Sequence, residues 1–250
     1  MTIRFRVQET LADPPETPLT YFGDSLRLWL SGGEEFYEDA EKLDPCENAD
    51  VIAVWGDKSG NGYDATKVSA PWYDEDACNN IGGAVCAGGD GGLGISTDVI
   101  LPADVEVWFF GVWKMGGGYR DQMFYNHDGV GKFVMQTVGA GGTTVKIQVW
   151  TNVGAKEVTV ACDTSDFVCL SYRFKEGVEG RLWRNGVDVG SVDCSGTTWE
   201  WLGPEGDQHK LFKSSVATSI CVEHWAVVGD IGAAGREWAE GYMMSKFNLS

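Results

Sequence analysis

Apolar residues along this chain fall mostly into short runs that glycine-rich polar segments separate. Residues 1–8 alternate apolar and polar side chains, which is typical of a half-buried strand. The run Val105–Trp113 is almost continuously apolar and indicates a strand in the middle of a sheet. Asn185-Gly186, inside Arg181–Val189, is a strong signal for a two-residue hairpin turn. Roughly a dozen strands with turns every 8–12 residues indicate a sandwich or a barrel.

The other predicted strands are apolar or alternating runs bounded by turn residues. They are Leu26–Leu30, Val51–Trp55, Tyr63–Thr66, Ala84–Cys86, Met123–Asn126, Lys132–Val138, Val145–Thr151, Lys156–Ala161, Phe167–Phe174 and Ile220–Val228. A single helix is predicted over Ala233–Lys246, where Trp238, Tyr242 and Ser245 share helical spacing.

Prolines cluster in residues 12–18 and predict a stiff, extended connector. We therefore divide the chain into an N-terminal arm and connector, residues 1–22, and one sandwich domain, residues 23–250. The strand in the arm either closes an edge of its own sandwich or pairs with a neighbouring subunit. The first use is favoured, because terminal strands are usually held by their own sheet.

Four segments resemble the laminin-G-like, concanavalin A-like jelly-roll domains found in phage virion and bacterial surface proteins. They are Leu26–Leu30, Trp55–Gly62, Arg181–Val189 and Glu240–Phe247. The resemblance implies an all-β fold: a two-sheet antiparallel jelly-roll sandwich with one C-terminal helix and an N-terminal extended arm. It implies a concave face that binds ligands in some members and no single activity. An acidic insert, Glu34–Asp50, departs from the pattern and is expected to be a solvated loop.

The charge balance excludes some partners. Thirty-seven acidic residues against nineteen lysines and arginines give a net charge of −18. Nucleic acids and anionic membranes both reward basic surfaces, so neither is expected as a partner. No secretory signal and no run of about 20 apolar residues is visible.

Seven cysteines, an odd number without a C-x-x-C pair, do not indicate a disulfide framework or a zinc site. Cys169 and Cys221 lie in apolar runs and are predicted to be core residues. No cofactor is expected, apart from a weak indication of calcium. Asp57, Ser59 and Asn61 occupy the first, third and fifth positions of an EF-hand-like loop, but Val68 stands where the closing carboxylate belongs. A structural turn capped by Asp57 is therefore favoured over a calcium site.

Glycoside hydrolases need a pair of carboxylates, as acid and as nucleophile or base. The best match to a paired-carboxylate pattern is Glu205-Gly206-Asp207, with Lys210 where the second glutamate would stand. No catalytic residues are therefore predicted.

Aromatic side chains next to carboxylates, in segments expected to be loops, are candidates for stacking on sugars. The same composition occurs in protein-binding hot spots and in ordinary packing. The candidates are Trp72, Tyr73, Asp74, Tyr119, Asp121, Trp199 and Trp201.

These patterns and the resemblance lead us to expect a non-enzymatic structural component of a phage virion. It would be a capsid decoration, head-fibre or tail-appendage protein, made in the host cytoplasm and localised to the virion. Its partners would be capsid or tail subunits and further copies of itself, as a homo-oligomer. The alternative is a lectin module that binds carbohydrate on a host surface. A polysaccharide hydrolase is a third, disfavoured hypothesis.

Overall fold

The computed structural model describes most of the chain. The described residues are 17–89, 92–96, 106–115, 122–126, 133–138, 143–198, 208–213 and 215–250. The predicted N-terminal strand and most of the predicted connector lie outside them.

Strands dominate the described residues, with one short and one longer helix at the two ends of the sequence. The helices are α1 (Pro18–Phe22) and α2 (Gly232–Lys246). The strands are β1 (Leu26–Leu30), β2 (Phe36–Tyr37), β3 (Val54–Trp55), β4 (Ala65–Lys67), β5 (Trp72–Cys78), β6 (Ile81–Gly89), β7 (Leu93–Ser96), β8 (Val107–Met115), β9 (Gln122–Asn126), β10 (Phe133–Thr137), β11 (Thr144–Thr151), β12 (Gly154–Ala161), β13 (Val168–Lys175), β14 (Glu179–Arg184), β15 (Val187–Asp193), β16 (Gln208–Lys213) and β17 (Ser215–Val228).

The strands form two antiparallel sheets. The eight-stranded sheet runs in the order β15-β14-β13-β8-β17-β6-β5, with β1 also paired to β17. The nine-stranded sheet runs in the order β12-β11-β10-β9-β16-β7-β4-β3-β2. The two-sheet antiparallel sandwich and the C-terminal helix are thus confirmed.

Two hydrophobic clusters lie on opposite faces of the eight-stranded sheet. Along β8, Phe109 and Trp113 belong to the cluster shared with the nine-stranded sheet, whereas Trp108 and Phe110 belong to the cluster under α2. Burial on both faces explains why this strand carries no charged or polar side chain from Val107 to Trp113. Each fully buried aromatic of this kind removes about 150–250 Å² from water, so the central strands carry much of the core.

A β-bulge in β17 turns a carboxylate towards α2. The register against β8 shifts between Cys221 and Glu223, so Glu223 points to the helix side of the sheet. Its Oε1 accepts the indole N–H groups of Trp29 (2.9 Å) and Trp225 (2.7 Å). Its Oε2 accepts the backbone N–H of Gly32 and the Lys246 ammonium, both at 2.8 Å. These residues, the Glu223 cluster, tie β1, β17 and α2 together.

The predicted turn capped by Asp57 is also present. The Asp57 carboxylate accepts the backbone N–H groups of Trp29 (2.9 Å), Ser59 (2.9 Å) and Tyr63 (3.1 Å), and the Ser59 hydroxyl (2.7 Å). Asn61 donates from Nδ2 to the carbonyl oxygen of Leu26 at 3.0 Å. The turn therefore fastens the loop after β3 onto β1.

Three sequence-based expectations need correction. The connector was expected to be extended through Pro18, but Thr17 caps a helix in which Pro18 occupies the first turn, a position that suits its fixed φ. Trp72, Tyr73 and Asp74 were expected in a loop and instead begin β5. The acidic insert is not wholly a loop, because it contains β2 and its end pairs with β5 at Tyr73.

Two cysteines occupy the core positions that the sequence predicted for them. All seven cysteines are free thiols, and Cys169 and Cys221 are fully buried in the two clusters. Among the described residues, no helix has both the length and the apolar character needed to cross a membrane.

Candidate functional site

A cleft lies at the end of the sandwich where β14 turns into β15. It consists of two adjoining cavities of about 470 and 510 Å³, which share Arg184, Asn185 and Ser250 as wall residues. We call them the polar lobe and the apolar lobe. Volumes of this order are typical of small-molecule sites, roughly 300–1,000 Å³.

The polar lobe gathers side chains from four different parts of the fold. Asn79 comes from the β5–β6 turn, Lys114 from β8, and Asp166 and Phe167 from the segment that leads into β13. Arg184, at the end of β14, completes this set. The Lys114 ammonium lies 5.6 Å from the centre of the Phe167 ring, a cation–π contact that holds both side chains at the wall. Amide, cation, carboxylate and aromatic groups therefore converge on one open cavity.

The apolar lobe has a different lining. Ala161, Cys162, Val187 and Val189 contribute small apolar surfaces, and Thr143 lies at its edge. Burial raises the pKa of the Cys162 thiol to about 11, so this group is neutral near pH 7 and behaves as a small hydrophobic surface. Val187 is 66% exposed, which is high for a valine in a strand.

The β14–β15 turn forms the wall between the two lobes. Asn185 and Gly186 have φ values of +47° and +79°, the left-handed pair that a tight two-residue hairpin turn requires. Asn185 also donates its backbone N–H to the carbonyl of Cys169 and accepts the Cys169 N–H at Oδ1, both at 2.8 Å. These two hydrogen bonds tie the turn to β13 directly after Arg184.

Arg184 offers open donors to the cleft. Its Nε donates to the carbonyl oxygen of Asp163 at 2.8 Å. Within the part of the chain that the structure describes, its two terminal nitrogens have no hydrogen-bond or ion-pair partner. Hydrogen bonds from the Ser165 hydroxyl and backbone lower the pKa of the Asp163 carboxyl, so it is ionised at neutral pH.

Neither thiol at the cleft is a nucleophile at neutral pH. Burial raises the pKa of Cys78, in the polar lobe, to about 11, as it does for Cys162 in the apolar lobe. Because the thiolate is the reactive form of cysteine, neither thiol is activated here, and the other side chains at the walls offer hydrogen bonding, stacking and charge complementarity.

The structure places the sequence-predicted site residues away from this cleft or does not describe them. Trp72 and Tyr73 begin β5, and Cys78 at the other end of this strand lines the cleft. With a rise of ~3.3 Å per residue, Trp72 lies about 20 Å from Cys78. The Tyr73 ring packs against Phe36, with centroids 4.8 Å apart. Asp74 accepts the backbone N–H of Asp76 at 3.1 Å. Tyr119, Asp121, Trp199 and Trp201 lie outside the described residues, as does the Glu205–Asp207 segment.

At the weak calcium candidates, N–H and O–H donors face the ligand oxygens. Both oxygens of the Asp57 carboxylate accept such donors, as described above. Among the described residues, no group of three or more histidine, cysteine, aspartate or glutamate side chains is arranged to hold a metal ion.

Sequence reasoning did not find the cleft residues. Lys114, Asp166 and Arg184 are each a single charged residue at the end of an apolar run, and that pattern is common wherever a strand reaches the surface. One signal was available: the Asn185-Gly186 hairpin indicated where Arg184 would meet a turn.

Solved structures share the fold. No protein-family model matches the chain, and no curated protein matches its sequence. The binding domain of Paraclostridial Mosquitocidal Protein 1 is similar with a TM-score of 0.63 at 10% identity, over 90% of this chain and 53% of that one. Botulinum neurotoxin type C depends on interaction with two ganglioside molecules to enter cells. Its structure has a TM-score of 0.55 at 7% identity, over 90% of this chain and 53% of that one.

A third neighbour is the binding domain of botulinum neurotoxin DC in complex with rat synaptotagmin II. Its TM-score is 0.51 at 6% identity, over 87% of this chain and 52% of that one. The chain spans about half the length of these three structures. At such low identity the likeness establishes the shared β-sandwich fold.

Proposed function

We propose that the protein is a non-enzymatic, lectin-like module that binds a glycan in the cleft. The observation that carries this proposal is the convergence of Asn79, Lys114, Asp166, Phe167 and Arg184 on the polar lobe. Sugars present closely spaced hydroxyls that both donate and accept, together with C–H faces. Amide and charged groups satisfy the hydroxyls, and an aromatic ring next to them provides an apolar contact.

The fold comparison supports the same function. Of the sandwiches that resemble this one, botulinum neurotoxin type C interacts with gangliosides, and a type DC binding domain has been solved in complex with SialylT. Another type DC structure contains rat synaptotagmin II. Because one fold hosts many functions, these neighbours support binding in general, and the cleft chemistry is our reason for proposing carbohydrate rather than protein.

The test is a glycan array followed by calorimetric titration of the best ligands. The variants Asp166→Asn and Arg184→Gln each remove one charged hydrogen-bonding group from the polar lobe. We expect each to weaken binding about 10-fold or more, since a hydrogen bond to a charged group contributes about 1.5–3 kcal/mol. Arg181→Gln is the matched control, because Arg181 lies on the same strand, is half-buried and pairs with Glu179 and Asp188 outside the cleft.

Two results would contradict the proposal. One is silence of the folded protein across the array. The other is binding that survives both cleft variants but is lost on Trp72→Ala, which would place the site at the start of β5.

The sequence-based expectation of a virion component remains a prediction, and glycan binding is compatible with it. A sandwich displayed in many copies on a particle would gain avidity from multivalency. Co-purification with particles, and its loss when residues 1–22 are deleted, would test that localisation and the anchoring role of the arm.

A further inference from the structure

The two lobes of the cleft differ in what they can bind. Polar and charged side chains surround the polar lobe, whereas Cys162, Val187 and Val189 give the neighbouring lobe an apolar wall. A sugar that presents only hydroxyls would leave some of them without partners against that wall, which costs free energy. A ligand substituent that ends in a methyl group therefore fits the apolar lobe better than a hydroxyl does.

Arg184 lies between the lobes and contributes donors only. Its Nε is used by the carbonyl of Asp163, and its terminal nitrogens have no partner among the described residues. A guanidinium has no acceptor, so its complement is an acceptor on the ligand, placed next to the methyl group.

Two nearby carboxylates bear on whether that acceptor is anionic or neutral. Asp166 lines the polar lobe and Asp163 lines the apolar lobe, and the whole chain carries a net charge of −18. These carboxylates offset the positive charges of Lys114 and Arg184 at the same walls, so an anionic ligand group gains no net attraction. A neutral carbonyl meets the donors of Arg184 without repulsion from Asp163 and Asp166.

We propose, on the basis of the proposed glycan-binding function, that the ligand is an N-acetylated saccharide whose acetamido group occupies the apolar lobe. The acetamido methyl lies against Val187 and Val189, and its carbonyl oxygen accepts a hydrogen bond from Arg184. The ring hydroxyls of the adjoining sugar face the polar lobe.

The experiment uses oligosaccharides that differ only in this group. Cellobiose and N,N′-diacetylchitobiose form one pair, and an array of β-linked gluco- and galacto-oligosaccharides in 2-hydroxyl and 2-acetamido forms supplies others. We expect the acetamido form to bind about 10-fold more tightly, the lower end of what one apolar group contributes in a fitted pocket. Val187→Thr keeps the shape of the side chain but makes it polar, and should reduce the preference to less than about threefold.

Val153→Thr is the matched control. Val153 is 65% exposed, against 66% for Val187, and lies in the β11–β12 turn outside the cleft. Because both positions are exposed, neither substitution should alter folding, and thermal unfolding of the two variants verifies this. Val187→Ala, which removes apolar surface without adding a hydroxyl, is a second variant with the same expected direction.

The outcomes separate this inference from the proposed function. A preference for acetamido ligands that falls in both Val187 variants and persists in Val153→Thr supports it. Binding of hydroxyl and acetamido forms with equal affinity, or a preference unchanged by either Val187 variant, overturns the inference and leaves the glycan site in place. Silence across both series contradicts the proposed function as well.

Discussion

The Glu223 cluster and the cleft are both polar, yet they differ in how fully their polar groups are used. Glu223 is completely buried, and its two oxygens accept four hydrogen bonds, from two indoles, one backbone amide and one ammonium. Arg184 in the cleft is half-exposed and uses one donor on a backbone carbonyl. The first arrangement is saturated, whereas the second has donors left for a ligand.

This difference separates scaffold from site better than residue type does. A buried charge is tolerated only when its partners are in place, so a saturated cluster holds the fold and offers nothing to a ligand. Open donors at a surface cleft contribute little to folding and remain free to bind. The comparison therefore predicts large stability effects for substitutions in the Glu223 cluster and small ones in the cleft.

The largest expected effect follows from Lys246→Met, which leaves the buried Glu223 carboxylate without its counter-ion. We expect the free energy of unfolding to fall by about 3 kcal/mol, the lower end of the cost of breaking a buried pair. Urea denaturation at pH 7 measures it. Lys156→Met is the control, because Lys156 is half-buried on β12 and forms no ion pair among the described residues. A loss below 1 kcal/mol would show that the cluster is not a structural support.

Asp57→Ala comes next. It removes the acceptor for three backbone N–H groups that tie the turn to β1. We expect a loss of about 2 kcal/mol, since buried donors left unsatisfied cost about 1–3 kcal/mol. Calcium should not change the melting temperature of the wild-type protein, because its carboxylate is already engaged. A calcium-dependent rise that Asp57→Ala abolishes would revive the metal-site alternative.

Glu240 is buried like Glu223 but less fully partnered. Its effect on the free energy of unfolding should therefore depend on pH. Burial raises the pKa of its carboxyl group, although Ser171 and Arg236 oppose the shift. The folded state thus favours the protonated carboxyl group. Its contribution to the stability of the protein is present at low pH and is lost as the pH rises through the folded-state pKa. Glu240→Gln should be more stable than wild type at pH 7.5, with a smaller difference at pH 5. A variant less stable than wild type at pH 7.5 would instead show that the ionised pair with Arg236 is favourable.

The smallest stability effect is expected for Arg184→Gln. The lost hydrogen bond lies at the surface, so the free energy of unfolding should change by about 0.5 kcal/mol or less, while glycan affinity falls. A fall of several kcal/mol in the free energy of unfolding would show that Arg184 supports the fold, as Glu223 does. It would contradict the distinction between the cleft and the Glu223 cluster.

The sequence predicted the fold well because its strongest signals are local. An almost continuous apolar run marked β8, Asn185-Gly186 marked the β14–β15 hairpin, and helical spacing marked α2. The start of β5 was assigned to a loop because Asp74, Glu75 and Asp76 suppress any strand signal; charges of this kind are common on edge strands.

The cleft and the Glu223 cluster could not be predicted from the sequence, for a different reason. Lys114, Asp166 and Arg184 meet only through the pairing of β8, β13 and β14, so no spacing along the chain connects them. Glu223 faces α2 only because a one-residue bulge re-aims it. Such long-range register is set by packing, which single-sequence patterns do not contain.

The most direct test of the account is an NMR titration of the ¹⁵N-labelled protein with the tightest-binding glycan of the array. Backbone amide shifts should concentrate at Phe167, Arg184 and Asn185, while Trp29, Asp57 and Glu223 stay unchanged. Shifts centred on Trp72 to Asp74, or on the scaffold clusters, would contradict the assignment of the cleft as the binding site.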